Sequence, residues 1–186
     1  MEYMTPNFTK DMVKTHKILI PNMAGTQFRL MQAALASEGY QTEVLGNCGS
    51  EVAQLGLKYV HNDTCYPALL VIGQFLDALN SGKYDLDHTA LLISQTGGGC
   101  RASNYIKLLR KALVKAGYGN IPVASLNFSG LEKGSGLPLT VPLLRKVIAS
   151  IFYGDMLVAL RSQTHAYENH RGDADAMTEK WISTIQ

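Results

Sequence analysis

Cysteine is scarce in this 186-residue chain, which holds only Cys48, Cys65 and Cys100. The odd count and the wide spacing argue against a disulfide framework, and neither C-x-x-C nor a Cys/His zinc spacing is present. Long apolar runs are also missing. No stretch reaches the roughly 20 residues that a membrane span needs, and the first 15 residues hold no signal-peptide apolar region. Charge of one sign is lacking as well. Lys and Arg number 17 against 15 Asp and Glu, so the formal net charge of +2 gives no footprint for nucleic acid or a membrane surface. Aromatic residues are not interleaved with basic ones as in single-strand binders. The P-loop spacing with its lysine and the G-x-G-x-x-G pattern are absent, and no paired carboxylates or Ser-His-Asp order suggest hydrolysis. These absences predict a cytoplasmic protein with no nucleic-acid or membrane partner.

What is there is a core-forming composition, 46% hydrophobic, and one conspicuous stretch, Ser94-Gln95-Thr96-Gly97-Gly98-Gly99-Cys100-Arg101. Before it, Thr89-Ala90-Leu91-Leu92-Ile93 reads as a buried strand. After it, residues 102–113 carry apolar side chains at helical spacing. A strand therefore feeds a glycine-rich loop and the loop feeds a helix. Gly97, Gly98 and Gly99 remove side chains where something must approach the backbone. Cys100 stands at the helix mouth, where free N–H groups and the dipole favour a thiolate. A tight turn with an inert cysteine, a phosphate cradle and a cysteine ligand to a metal cluster all remain open from this stretch alone.

Residues 1–14 are polar and read as a loose lead-in. Lys17-Ile18-Leu19-Ile20 is the first expected strand, followed by a helix through Phe28, Leu30, Met31, Ala34 and Leu35 that Gly39 closes. Thr42 to Leu45 is the second strand. Ser50 is expected to cap a helix over Glu51–Tyr59, and Pro67 to open a second, mostly buried helix to Leu79. The glycine-rich unit follows, its helix ended by Gly117, and then a fourth strand over Ile121–Leu126. Strands alternating with helices predict an α/β fold with a four-stranded parallel sheet in the order 2-1-3-4 and helices on both faces. The ligand crevice of such a sheet lies where the order reverses, between strands 1 and 3, bordered by the Met23-Ala24-Gly25 turn and the Gly97–Cys100 loop. Residues 130–136 read as a flexible linker. C-terminal helices follow, one opened by Pro138 or Pro142 and one capped by Asp173 or Asp175. The expected organisation is a lead-in over 1–15, an α/β module over 16–130 and a helical extension over 131–186. The last helix meets no terminating signal, which suggests a fragment of a longer protein.

All three cysteines fall at expected helix mouths. That setting suits thiolates gathered around an iron–sulfur core, whose total charge is negative. Three cysteines leave one iron of a four-iron cluster without a cysteine ligand, a place for water, another side chain or a substrate oxygen. The competing reading is three unrelated buried cysteines that pack as small hydrophobes.

Asn62-Asp63-Thr64-Cys65-Tyr66-Pro67-Ala68 and Gln95-Thr96-Gly97-Gly98-Gly99-Cys100-Arg101-Ala102-Ser103-Asn104-Tyr105 resemble the two cysteine motifs of the 2-hydroxyacyl-CoA dehydratase component family. The likeness is greatest to the dehydratase-like module at the C-terminal end of the large fused CoA-substrate-specific enzyme activases. Gly73-Gln74 and Pro122-Val123 agree too, and the resemblance covers about residues 16–160. It implies a [4Fe–4S] or double-cubane cluster held by three cysteines, a low-potential electron supplied by an ATP-driven activator, and an acyl-CoA or related substrate. Cys65 and Cys100 correspond by motif, Cys48 by its position after strand 2. The chain is shorter than a dehydratase subunit and has no ATPase domain, so the resemblance points to one module of a dehydratase or activase system whose partners are the activator domain or other modules.

Among neighbouring residues, Arg101 either counters cluster charge or lies on the surface. Asn104 and Tyr105 are expected to pack or cap the helix. His61 and Asp63 hold the Cys65 loop or supply a fourth ligand. Ser94, Gln95 and Thr96 satisfy their own turn or donate to a cluster or thioester carbonyl. Two alternatives stand beside the redox module. One is a nucleophilic enzyme with Cys100 on a strand–loop–helix elbow and His61 as its base. The other is a non-catalytic docking domain that uses its apolar C-terminal helices.

Overall fold

The computed structural model describes residues 5–61, 63–95, 104–127, 137 and 140–185. The chain folds as two compact units, Met1–Asn22 with Gln41–Pro138, and Met23–Tyr40 with Leu139–Gln186.

The first unit holds the sheet. Strands β1 (Lys17–Ile20), β2 (Gln41–Val44), β3 (Thr89–Gln95) and β4 (Val123–Asn127) are all parallel and ordered β2-β1-β3-β4. This is the expected α/β arrangement, with helices around the sheet and helices at the C-terminal end of the chain. Parallel strands need cover on both faces, and Ile18, Leu19 and Ile20 are accordingly all buried. In register, Leu19 pairs with Leu91, and Leu91 with Val123.

Helices α3 (Ser50–Tyr59), α4 (Tyr66–Asn80) and α5 (Tyr105–Ala116) complete this unit, with a short α1 (Met12–Thr15) before β1. The core joins Leu19, Leu91, Ile93 and Val123 of the sheet to Leu69, Ile72, Phe75 and Leu76 of α4 and Ile106, Leu109 and Leu113 of α5. The 3.6-residue spacing of these helical positions aims one stripe of each helix at the sheet. Gly117 ends α5 in the left-handed conformation, φ +88°, as its sequence position implied.

Several boundaries move by a residue. Gly49, not Ser50, is the N-cap of α3, with φ +118°, and Ser50 is the first helical residue. Tyr66 opens α4, so that Pro67 sits in its first turn, where its missing N–H costs nothing. The lead-in is not loose over residues 5–8. Phe8 is buried at 2% exposure, Asn7 bridges Val123, and the Val123 N–H donates to the Pro6 carbonyl at 3.3 Å. A lone apolar residue in a polar segment carries no periodicity, which is why the sequence alone does not reveal this contact.

The second unit is helical: α2 (Gly25–Ala36), α6 (Val141–Thr164) and α7 (Asp173–Ile185). Thr140 caps α6 by accepting the Leu143 N–H at 3.2 Å, and Pro142 lies in its first turn. Leu30, Leu157 and Ile182 form a small core between the three helices. Gly154 lets α6 approach α2, since a Cβ there would meet Gln27 Cγ at 2.6 Å. Polar ties reinforce the packing: Gln27 donates to Asp155, Arg29 to Glu179, and Lys146 to both Ser37 and Glu38, all at 2.7 Å. In the chain α2 lies between β1 and β2, yet it groups with α6 and α7.

Candidate metal centre

The site is built on two helix pairs of the first unit. The first pair is the α3–α4 hairpin. A Cβ at Gly56 would lie 2.2 Å from the Leu69 carbonyl oxygen, and one at Gly73 would lie 1.9 Å from the Val52 carbonyl oxygen. The two backbones therefore touch at glycines, and the pairing of 56 with 69 and 52 with 73 makes the helices antiparallel.

The second pair is α4 with α5. Cys65, the N-cap of α4, brings its Sγ to 3.0 Å from the Tyr105 hydroxyl, and Tyr105 is the first residue of α5. At the other ends the Tyr118 hydroxyl donates to Asn80 Oδ1 at 2.6 Å. These helices run in the same sense, so their N-termini lie together and present free N–H groups and the positive dipole ends to the same region. Cys65 is half-buried and packs on the core, while Tyr105 is buried at 4% exposure. The Cys65 carbonyl accepts from Ala68 and Leu69, and the thiol makes no capping bond.

Cys48 is exposed and lies just before Gly49, the N-cap of α3. Its neighbour Asn47 is gripped by α4. Asn47 Nδ2 donates to the Gln74 carbonyl and to Asp77 Oδ2, and Gln74 Nε2 donates back to the Asn47 carbonyl, each at 2.8 Å. Gln74 Oε1 also accepts the Asn22 N–H at 2.8 Å, just beyond β1. Gln74 thus clamps the carboxyl ends of β1 and β2 to α4. It stands nine residues along α4 from Cys65, about 13 Å at 1.5 Å per residue.

Of the expected ligands, Cys65 and Cys48 both stand at helix N-termini, but at opposite ends of the antiparallel hairpin, so the structure does not bring these two sulfurs together. Cys100, with Gly97, Gly98, Gly99 and Arg101, lies outside the described residues, as does Thr96. Tyr105 follows Cys100 by five residues, so the contact it makes with Cys65 lies where that segment enters α5. Among the described residues no group of three or more His, Cys, Asp and Glu side chains is gathered. His61 and Asp63 pair with each other at 3.2 Å with side chains 75% and 82% exposed. Asn104 is the N-cap of α5, and its side chain makes no capping bond. The Met23 turn belongs to the second unit.

The roles of Tyr105 and Gln74 are what sequence reasoning missed. Both positions fall among the residues that carry the family resemblance, and that is their only signal. Among the described residues Cys65 alone offers a sulfur beside the neighbouring N-termini of α4 and α5, one of the three cysteines that the resemblance implies for a cluster.

Fold and site together define an open parallel α/β sheet whose strand order reverses between β1 and β3, with sulfur placed at helix N-termini. No protein-family model matches the chain, and no curated protein or solved structure matches it.

Proposed function

We propose that the first unit is an iron–sulfur redox module of the 2-hydroxyacyl-CoA dehydratase and activase type, working in the reducing cytoplasm. Cys65 and Cys100 anchor the cluster, while Cys48, the third cysteine that the resemblance implies, stands at the opposite end of the α3–α4 hairpin from Cys65. The single observation that supports this reading most is the Cys65–Tyr105 contact, which ties one motif cysteine to the start of the helix that the other motif cysteine precedes. Such a cluster, when bound, supplies one-electron transfer at low potential, here toward a CoA ester or a related substrate, with the electron delivered by an ATP-driven activator. The chain's own part is to set the Cys65 sulfur beside the N-termini of α4 and α5, which favour the cluster's negative charge, and to hold α3 and α4 together through Gly56 and Gly73. The nucleophile alternative gains no support from its required base, because His61 is exposed and engaged with Asp63.

The test is anaerobic reconstitution of the full chain with iron and sulfide. Wild type is expected to develop a broad blue-region absorbance with stoichiometric iron and acid-labile sulfide, and C65A and C100A to lose it. Iron at background in the wild type refutes the proposal. A full cluster in C48A removes Cys48 from the ligand set and leaves the other two in place.

A further inference from the structure

Helix α6 carries two stripes. One, through Leu143, Val147, Gly154 and Leu157, is buried, with Gly154 against α2 and Leu157 against α2 and α7. The other, on the opposite side, runs through Val141, Arg145, Ile148, Phe152, Asp155 and Ala159, all exposed, with Val141 at 64% and Phe152 at 71%. Its steps alternate four and three residues, the period of a helix–helix seam. Ile151 and Met156, also exposed, widen it on either side. Single exposed apolar residues are ordinary, but a continuous stripe of them calls for cover.

We propose that this stripe packs antiparallel against the same stripe of a second copy, about a two-fold axis level with Ser150. Residues equally far from that axis on opposite sides then meet. Arg145 falls opposite Asp155 of the second copy, Ile148 opposite Phe152 and Val141 opposite Ala159, and each pairing occurs twice. Charge fixes both the partner and the direction. Arg145 and Asp155 have no oppositely charged partner among the described residues, and Asp155 accepts only the neutral amide of Gln27, at 2.7 Å. Antiparallel packing gives each guanidinium a carboxylate. Parallel packing in register sets arginine on arginine and aspartate on aspartate, which repel. The area agrees. At their exposures Val141, Ile148, Ile151, Phe152 and Met156 present about 450 Å² of the roughly 800 Å² that each partner of a stable pair buries. Arg145, Asp155 and Ala159, lying between them, bring the seam toward that figure.

Sedimentation equilibrium of the full, cluster-free chain reads the association over a concentration series, and far-UV circular dichroism checks that each variant folds. Wild type is expected to reach twice the 20.3 kDa of the single chain in the micromolar range. R145Q reads the direction by its sign. Antiparallel packing loses an ion pair at two places and weakens, whereas parallel packing loses an arginine–arginine repulsion and tightens. R145D is expected to weaken association about tenfold, because carboxylate then meets carboxylate, and R145D/D155R to regain it. F152D, at the middle of the seam, is expected to weaken it about a hundredfold. A wild type that stays monomeric overturns the second-copy pairing and leaves the face to a different protein. A dimer that F152D leaves as tight overturns the face. One that R145Q tightens, or that a folded R145D/D155R chain does not restore, overturns the antiparallel register. Should the double variant fail to fold, the sign of the R145Q shift decides.

Discussion

Replacing Gly73 by alanine tests the packing on which the site depends. The added Cβ would stand 1.9 Å from the Val52 carbonyl oxygen, 2.9 Å from its carbon and 3.0 Å from the Gly56 nitrogen. All three are backbone atoms, so no side chain can swing away. An ordinary contact needs about 3.5 Å, which asks α3 and α4 to part by about 1.5 Å. Val52, Leu69 and Ile72 are buried along the hairpin and would lose contact as it opens. Overpacking of this kind costs about 1–3 kcal/mol and more where nothing can yield. Rigid backbone on both sides puts the cost at the upper end of that range, and alanine returns about 1 kcal/mol through helix propensity, which leaves a net loss of about 2 kcal/mol. For a chain of this size the expected fall in Tm is about 4–8 °C, read by thermal unfolding in circular dichroism. Gly46 is the comparison, since a Cβ there meets nothing within 4 Å, and G46A is expected within about 0.5 kcal/mol of wild type. A G73A protein as stable as wild type, or stabilised as propensity alone implies, refutes the close helix contact and the rigid hairpin with it.

Two pH effects follow from the base of the sheet. Burial, and then the neighbouring His88 ring at 5.7 Å, lower the pKa of His16 below its ordinary 6.5, with Asp85 opposing. The unfolded chain then binds a proton at higher pH than the folded one, so stability is full above about 6.5 and declines as pH falls through that value toward the lowered one. Denaturant midpoints across this window are expected to lose their slope in H16N, and an unchanged slope refutes the assignment. Burial, and then the 2.7 Å bond to Glu43, push Tyr84 up to about 12. Because the unfolded tyrosine ionises first, stability is expected to fall as pH rises from 10 to about 12. The Y84F chain is expected to lack that part of the alkaline decline, and identical profiles would count against it.

The strand order is readable because few arrangements satisfy four breaker-bounded apolar runs joined by right-handed crossovers. Element ends are readable to a residue or so, where local chemistry marks them: Pro67 in the first turn of α4, Gly117 after α5. What cannot be read is pairing at a distance. The helical pattern of α2 announces an apolar face but not that Leu30 meets Leu157 and Ile182. Gly56 and Gly73 look like propensity penalties until each is seen against a facing backbone. Tyr105 reads as a packing residue because its partner, Cys65, lies forty positions away.

The staggered sheet edge explains why the cysteines are not equivalent. Leu19 pairs with Leu91, so β1 ends at Ile20, level with Leu92, while β3 runs on to Gln95 beside Asn127. Three further residues raise the β3–β4 edge by about 10 Å over that of β1 and β2. Gln74 and Asn47 are tied to the lower edge, through Asn22 after β1 and the turn after β2. Cys65 and Tyr105 stand nine helical residues away from Gln74, at the end of α4 that pairs with the start of α5. On the proposed reading, a cluster ligated by Cys65 would feel the N-terminal ends of α4 and α5. Cys48 lies at the clamped edge, away from Cys65, so on the proposed reading C48A is the cysteine variant expected to keep its cluster, and loss of the cluster in C48A would refute that separation.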